Sequence, residues 1–165
     1  MTFSGGEPLV HARYLDSVGG ILADTGVHIA LETSLAVRVP QSEALPEGLV
    51  SLASRVSLWL VDIKHPEAAE YRRVTGVSQS ILTDNLALLR RAGAEVIPRL
   101  VLVPGITDTD SSLLALSRFC ADAGFSRVEF LPYNPPPGAE ALGLPVTGTD
   151  PVALERARRL LEHRV

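Results

Sequence analysis

The chain has 165 residues, 46% hydrophobic and 21% charged, a balance that suits one soluble globular domain with a sizeable core. Fifteen basic against nineteen acidic residues give a net charge of −4, which argues against a nucleic-acid binder. No apolar run reaches the length of a membrane span, the first residues lack the layout of a secretion signal, and the single Cys120 excludes an internal disulfide, so cytoplasm is the expected location.

The first segment, Thr2-Phe3-Ser4-Gly5-Gly6-Glu7-Pro8, reads as the end of a strand opening into a glycine-rich loop. Adjacent glycines permit positive φ and a close approach of a bound molecule to the main chain, and Pro8 pre-sets a following helix. A helix is predicted over 9–24, stopping near Gly26, and a strand over Val27–Glu32. Pro40 and Pro46 make 35–55 a loop with a short helix around 47–54. A second full strand over Ser57–Ile63 ends near Lys64-His65-Pro66. Helices over about 67–74 and 79–92 follow, divided by Gly76 and stopped by Gly93. The next strand, Glu95–Val103, is closed by Pro104-Gly105, and Asp108 or Asp110 is the expected cap of a helix over 110–123. A last strand, Arg127–Leu131, runs into Pro132-Tyr133-Asn134. An extended loop is expected over 134–149 and a final helix over 151–163.

Alternating helices and near-continuous apolar strands predict a parallel sheet covered by helices, with too few strands for an eightfold barrel. In such folds chemistry gathers at the C-terminal ends of the strands. Polar residues stand there in this chain: Ser4-Gly5-Gly6-Glu7, Glu32-Thr33-Ser34, Asp62-Ile63-Lys64 and Tyr133-Asn134. Lys64 is also the only lysine, every other basic position being arginine. A compact ammonium is not replaced by a guanidinium, so a lone lysine at a strand end is a candidate functional group. Asp62 and Lys64 lie two apart and face the same side of their strand.

Six segments in order resemble the glycyl-radical-enzyme activases of the radical S-adenosylmethionine superfamily. They are Thr2-Phe3-Ser4-Gly5-Gly6-Glu7-Pro8-Leu9, Leu31-Glu32-Thr33-Ser34, Leu60-Val61-Asp62-Ile63-Lys64-His65, Tyr71-Arg72-Arg73-Val74-Thr75-Gly76, Arg99–Gly105 and Leu131-Pro132-Tyr133. The resemblance implies an incomplete (β/α) TIM-like barrel, part of a (β/α)6 radical S-adenosylmethionine barrel without its first β/α unit, as a single truncated domain over 1–165. It implies S-adenosylmethionine as cofactor, with Ser4, Gly5, Gly6 and Glu7 receiving its amino end. Glu32 and Thr33 would lie near the methionyl carboxylate, Asp62, Ile63 and Lys64 would face the ligand, and Arg99 would add an anion or peptide contact. Asn134 stands where activases carry a histidine that touches the cofactor. Leu35 stands where they carry a glycine. The implied partner is a glycyl radical enzyme such as pyruvate formate-lyase.

The superfamily holds a four-iron four-sulfur cluster with a CxxxCxxC loop, and this sequence contains no such motif. Cys120 lies in a helix and reads as a packing residue, so no catalytic or metal-ligating residue is assigned, and the chain alone is expected to lack radical chemistry. His11, His28, His65 and His163 show no ligand spacing and are expected on the surface or in strands. An exposed sheet edge beside residues 1–4 would favour self-association. Plainer roles stay open: a helix-entry turn for Ser4–Glu7, an ion pair for Asp62–Lys64, and pairing with Glu129 for Arg99. Two other functions remain, a non-catalytic partner-docking remnant and a Schiff-base aldolase-like barrel using Lys64.

Overall fold

The structure is a computed structural model that describes residues 1–37 and 45–161. The loop expected around Pro40 and His163, expected on the surface or in a strand, lie outside the described residues. Strands and helices alternate: β1 (Thr2–Phe3), α1 (Ala12–Leu22), β2 (Ala30–Thr33), α2 (Leu45–Ala53), β3 (Leu58–Asp62), α3 (Ala68–Thr75), α4 (Gln79–Arg91), β4 (Val96–Leu102), α5 (Asp110–Ala123), β5 (Glu129–Pro132) and α6 (Pro151–Leu161). Single 3-10 turns occupy Pro8–His11, Ala23–Thr25 and Ala139–Leu142.

The strands form one sheet in the order β1-β2-β3-β4-β5, and they run parallel. Sequential parallel order is what repeated β/α units produce, so the α/β class read from the sequence holds. Pro98 sits inside β4, but pairing with β5 begins only at Arg99 opposite Glu129, so β5 does not need the missing N–H.

The chain divides into two compact units, Met1–Asp62 with Thr75–Ile97, and Ile63–Val74 with Pro98–Val165. In the first, Ala30 stands opposite Leu58 and Glu32 opposite Leu60. Side chains alternate between sheet faces. Leu31, Thr33, Trp59 and Val61 are buried on one face, and Ala30, Glu32, Leu58, Leu60 and Asp62 on the other are only half-buried. The buried face belongs to a core that includes Leu15, Leu52, Leu82, Leu86 and Leu89 from the helices. Each such leucine contributes about 1.5–3 kcal/mol by leaving water. Helix α1 packs on α2, and there Arg55 Nε meets Asp16 Oδ1 at 2.7 Å. The Arg55 stem lies along Gly19, where an added Cβ would come within 3.1 Å of its Cδ.

In the second unit Leu100, Leu102, Leu113, Leu116, Phe130 and Leu161 are buried. The buried Thr107 hydroxyl donates to the Val101 carbonyl at 2.6 Å and accepts from the Val103 N–H at 2.7 Å, closing the turn after β4. Thr149 accepts from the Tyr133 N–H and donates to the Leu102 carbonyl, both at 2.6 Å, which pins the returning chain to the ends of β4 and β5.

Several local expectations are corrected. The cap of α5 is Thr109, whose hydroxyl accepts from the Ser112 N–H at 3.2 Å. Asp108 instead accepts from the Gly105 N–H at 2.6 Å, so its carboxylate shapes the preceding turn. The helix expected over 9–24 has 3-10 geometry at both ends, and the loop over 134–149 contains a 3-10 turn. His65, expected on the surface or in a strand, is buried beyond the end of β3, and its Nδ1 accepts from the Glu67 N–H at 3.1 Å to begin α3.

Candidate functional site

The ends of β1 and β2 are joined by one carboxylate. Glu7, four residues past β1, has extended geometry (φ −120°, ψ 102°) and caps the 3-10 turn that follows it, accepting from the Leu9 N–H at 3.1 Å on Oε1. The same oxygen accepts from the Thr33 hydroxyl at 2.6 Å. Oε2 accepts from the Ser34 N–H at 2.9 Å and from the Ser34 hydroxyl at 2.6 Å. A carboxylate offers about four lone-pair sites, so these donors occupy its ordinary capacity.

One turn further on, Leu35 has φ 52°, the described non-glycine residue with left-handed backbone, and its side chain is fully buried. A leucine costs about 1–2 kcal/mol in that conformation. The position where the family was expected to carry glycine therefore keeps a glycine-like backbone with a leucine on it. Two bonds hold it: the Leu35 N–H donates to Thr33 Oγ1 at 2.9 Å, and the Leu35 carbonyl accepts from the buried Asn85 Nδ2 at 2.9 Å.

Between β1 and Glu7, Gly5 and Gly6 have φ of 93° and 47°. A Cβ on either would meet nothing within 4 Å. Backbone conformation, rather than crowding, requires glycine here, and the space beside the loop is open. Ser4 donates to Glu32 Oε2 at 2.6 Å, tying β1 to β2 on the half-open face. The register puts Asp62 on that face too, two residues beyond Leu60, the partner of Glu32.

The first unit thus gathers Ser4, Gly5, Gly6, Glu7, Glu32, Thr33 and Asp62 at the ends of β1, β2 and β3. Ser34, named from the sequence among the strand-end polar residues but given no ligand role, and Asn85, which the sequence reading did not single out, complete the arrangement. In the second unit Ile63 is buried and its N–H donates to the Arg99 carbonyl at 2.8 Å. Arg99 is buried in β4, opposite Glu129 on β5. Lys64 and Asn134 are exposed.

Hydroxyls, carboxylates and open glycine backbone can receive a ligand ammonium, so these residues fit the methionyl end of S-adenosylmethionine. They do not fit a four-iron four-sulfur cluster. The only cysteine, Cys120, is buried in α5, and burial pushes its thiol up to about 12, away from the thiolate that iron requires. Among the described residues, no group of three or more His, Cys, Asp and Glu stands ready to hold a metal, and no helix is long and apolar enough to cross a membrane.

No family model matches the chain. Over 135 residues, 81% of its length, it is 31% identical to the pyruvate formate-lyase-activating enzyme of Staphylococcus aureus (strain USA300) and covers 53% of that protein. Over 135 residues it is 29% identical to the indoleacetate decarboxylase activating enzyme of Tractidigestivibacter scatoligenes, covering 41% of it. The chain spans about half the length of the curated relatives it matches. Its fold is similar to a crystallised domain of a pyruvate-formate lyase-activating enzyme from Bacteroides vulgatus, with TM-score 0.74, 20% identity and coverage of 98% of this chain and 91% of that one. It is also similar to Streptococcus suis SuiB bound to S-adenosylmethionine, with TM-score 0.72 and 15% identity over 96% of this chain and 35% of that one. Over the segment it shares with them, the chain resembles pyruvate formate-lyase-activating enzymes in sequence, and its parallel sheet in sequential order resembles a domain of one of them in fold.

Proposed function

We propose that the half-open face at the ends of β1, β2 and β3 binds the methionyl end of S-adenosylmethionine as part of a glycyl-radical-enzyme activating enzyme. The observation that carries this reading is the Gly5–Gly6 loop, held by Glu7 against Thr33 and Ser34 with open space beside both glycines. The ligand ammonium is met by backbone carbonyls of that loop and by the acidic groups of the face, Glu32 and Asp62. Glu7 contributes by shaping the loop, since in-chain donors already occupy its oxygens. Ser4 orients Glu32 through their 2.6 Å bond. When bound, S-adenosylmethionine supplies a deoxyadenosyl group to radical chemistry, but this chain alone offers no cysteine set for the cluster that would cleave it. The chain alone is therefore a cofactor-binding part, and hydrogen abstraction from a glycyl radical enzyme needs cluster ligands that it does not carry.

Equilibrium dialysis with labelled S-adenosylmethionine tests this reading. Saturable binding by the chain, abolished by Gly6→Val, is expected. A Cβ at Gly6 meets no atoms, so that variant loses the loop conformation without a core clash. No saturable binding, or binding unaltered in Gly6→Val, would sink it. The exposure of Lys64 favours this reading over a Schiff-base enzyme, whose amine is usually activated by desolvation.

A further inference from the structure

Two local oddities of the first unit explain each other. Asn85 is buried at 5% exposure on α4, among the apolar positions Leu82, Leu86 and Leu89. A buried amide is costly unless it is bonded. Leu35 holds a left-handed backbone that leucine ordinarily avoids. The two meet in one hydrogen bond of 2.9 Å, Asn85 Nδ2 to the Leu35 carbonyl, across fifty residues of sequence.

That bond starts a continuous series. The Leu35 N–H donates to the Thr33 hydroxyl, the Thr33 hydroxyl donates to Glu7 Oε1, and Oε1 also accepts from the Leu9 N–H. The Ser34 N–H and hydroxyl bind Glu7 Oε2 from the other side, and the Ala36 N–H donates to the Ser34 hydroxyl at 3.2 Å. Every donor that fixes Glu7 lies either in the helical turn behind it or in the short segment that Leu35 terminates. Glu7 in turn directly follows Gly5 and Gly6. The backbone of the glycine loop is therefore anchored to α4, and the anchor point is one amide side chain.

We propose that Asn85 is a positioning residue for the ligand loop: by holding the Leu35 carbonyl it fixes the Thr33–Ser34 segment that clamps Glu7, and through Glu7 it sets the Gly5–Gly6 backbone. It touches no ligand itself. The proposal rests on the reading of this face as the S-adenosylmethionine site, but its first readout uses no ligand.

The test is amide-resolved hydrogen exchange on the full chain, with Asn85→Leu against Leu82→Ala. Both sites are buried on α4, so both variants lower global stability, whereas local loop opening depends on local bonds. In Asn85→Leu the Leu9, Ser34 and Leu35 amides are expected to exchange about tenfold faster, the size of one lost buried hydrogen bond. In Leu82→Ala those amides are expected to keep their protection. S-adenosylmethionine affinity is expected to fall about tenfold in Asn85→Leu only. Unchanged protection at Leu9 and Ser34 in folded Asn85→Leu overturns the proposal whatever the ligand does. Lost protection with unchanged affinity overturns the positioning role. If the unsubstituted chain binds no S-adenosylmethionine, the functional reading falls and the exchange data alone decide whether Asn85 sets the loop. Should Asn85→Leu not fold, Asn85→Gln, which displaces the amide by one methylene, is measured by the same criteria.

Discussion

The Glu7 carboxylate and the Thr33 hydroxyl lie 2.6 Å apart, and this bond joins the end of β1 to the end of β2. Thr33 Oγ1 also accepts from Leu35, so its one hydrogen is committed to Glu7. Glu7→Gln turns one acceptor oxygen into a donor that faces other donors, which should cost about 1–3 kcal/mol. Thr33→Val should cost about 1–3 kcal/mol through the unmet Leu35 N–H. Because the two share partners, the double variant should lose less than the sum of the singles. Urea midpoints measure this cycle, and strict additivity would show that the bond does not couple the strands.

Leu35 predicts an inverted order of substitutions. At most buried positions alanine is better tolerated than glycine. Here Leu35→Ala loses the buried side chain and keeps the positive φ, whereas Leu35→Gly loses the same packing and relieves the backbone. Both should be destabilised by about 2–5 kcal/mol, with glycine the milder by about 1 kcal/mol. Thermal or urea unfolding decides it, and alanine being the milder would contradict the left-handed assignment.

Gly19 in α1 offers a test of close packing. Gly to Ala inside a helix usually stabilises by about 1 kcal/mol. Here the added methyl comes within 3.1 Å of Arg55 Cδ, on a side chain held by Asp16. Gly19→Ala should therefore gain little or lose stability, and in an Arg55→Ala background the full gain should return. An equal gain in both backgrounds would mean that Arg55 moves aside without cost.

The buried Cys120 thiol, with its pKa pushed from 9.0 to about 12 by desolvation, predicts a pH effect of definite sign. Between these values the unfolded chain loses the thiol proton and the folded chain retains it, so stability should fall as pH rises through that window. The loss should be smaller in Cys120→Ala, measured by unfolding at each pH. Native Cys120 should also resist iodoacetamide near neutral pH and react only after unfolding. Rapid alkylation of the folded chain would contradict the burial.

The strands were legible because each is a short apolar run closed by polar or turn residues, as in Leu58–Asp62 before Lys64-His65-Pro66. The residues Ser4 to Glu7 and Glu32-Thr33 were legible as a strand-end group because parallel α/β folds place chemistry there. What Glu7 does within that group was not legible, because its partners Thr33 and Ser34 are more than twenty-five residues away and depend on the β1–β2 register. Asn85 did leave a signal: it occupies an apolar helical position in the series Leu82, Asn85, Leu86, Leu89, where a polar side chain needs a partner. Leu35 left a signal only through the resemblance, which expects a glycine there, since nothing local forces a leucine to positive φ. Asp108 and Thr109 compete for the same helix start, and only the turn at Gly105 decides which of them caps it.

Binding of S-adenosylmethionine at the ends of β1 and β2 is tested most directly by an amide-resolved NMR titration of the chain. Saturable shifts are expected at Gly5, Gly6, Glu32 and Thr33, with the largest changes in the glycine loop. Absence of shifts at these amides, or a footprint confined to other strand ends, would contradict binding there.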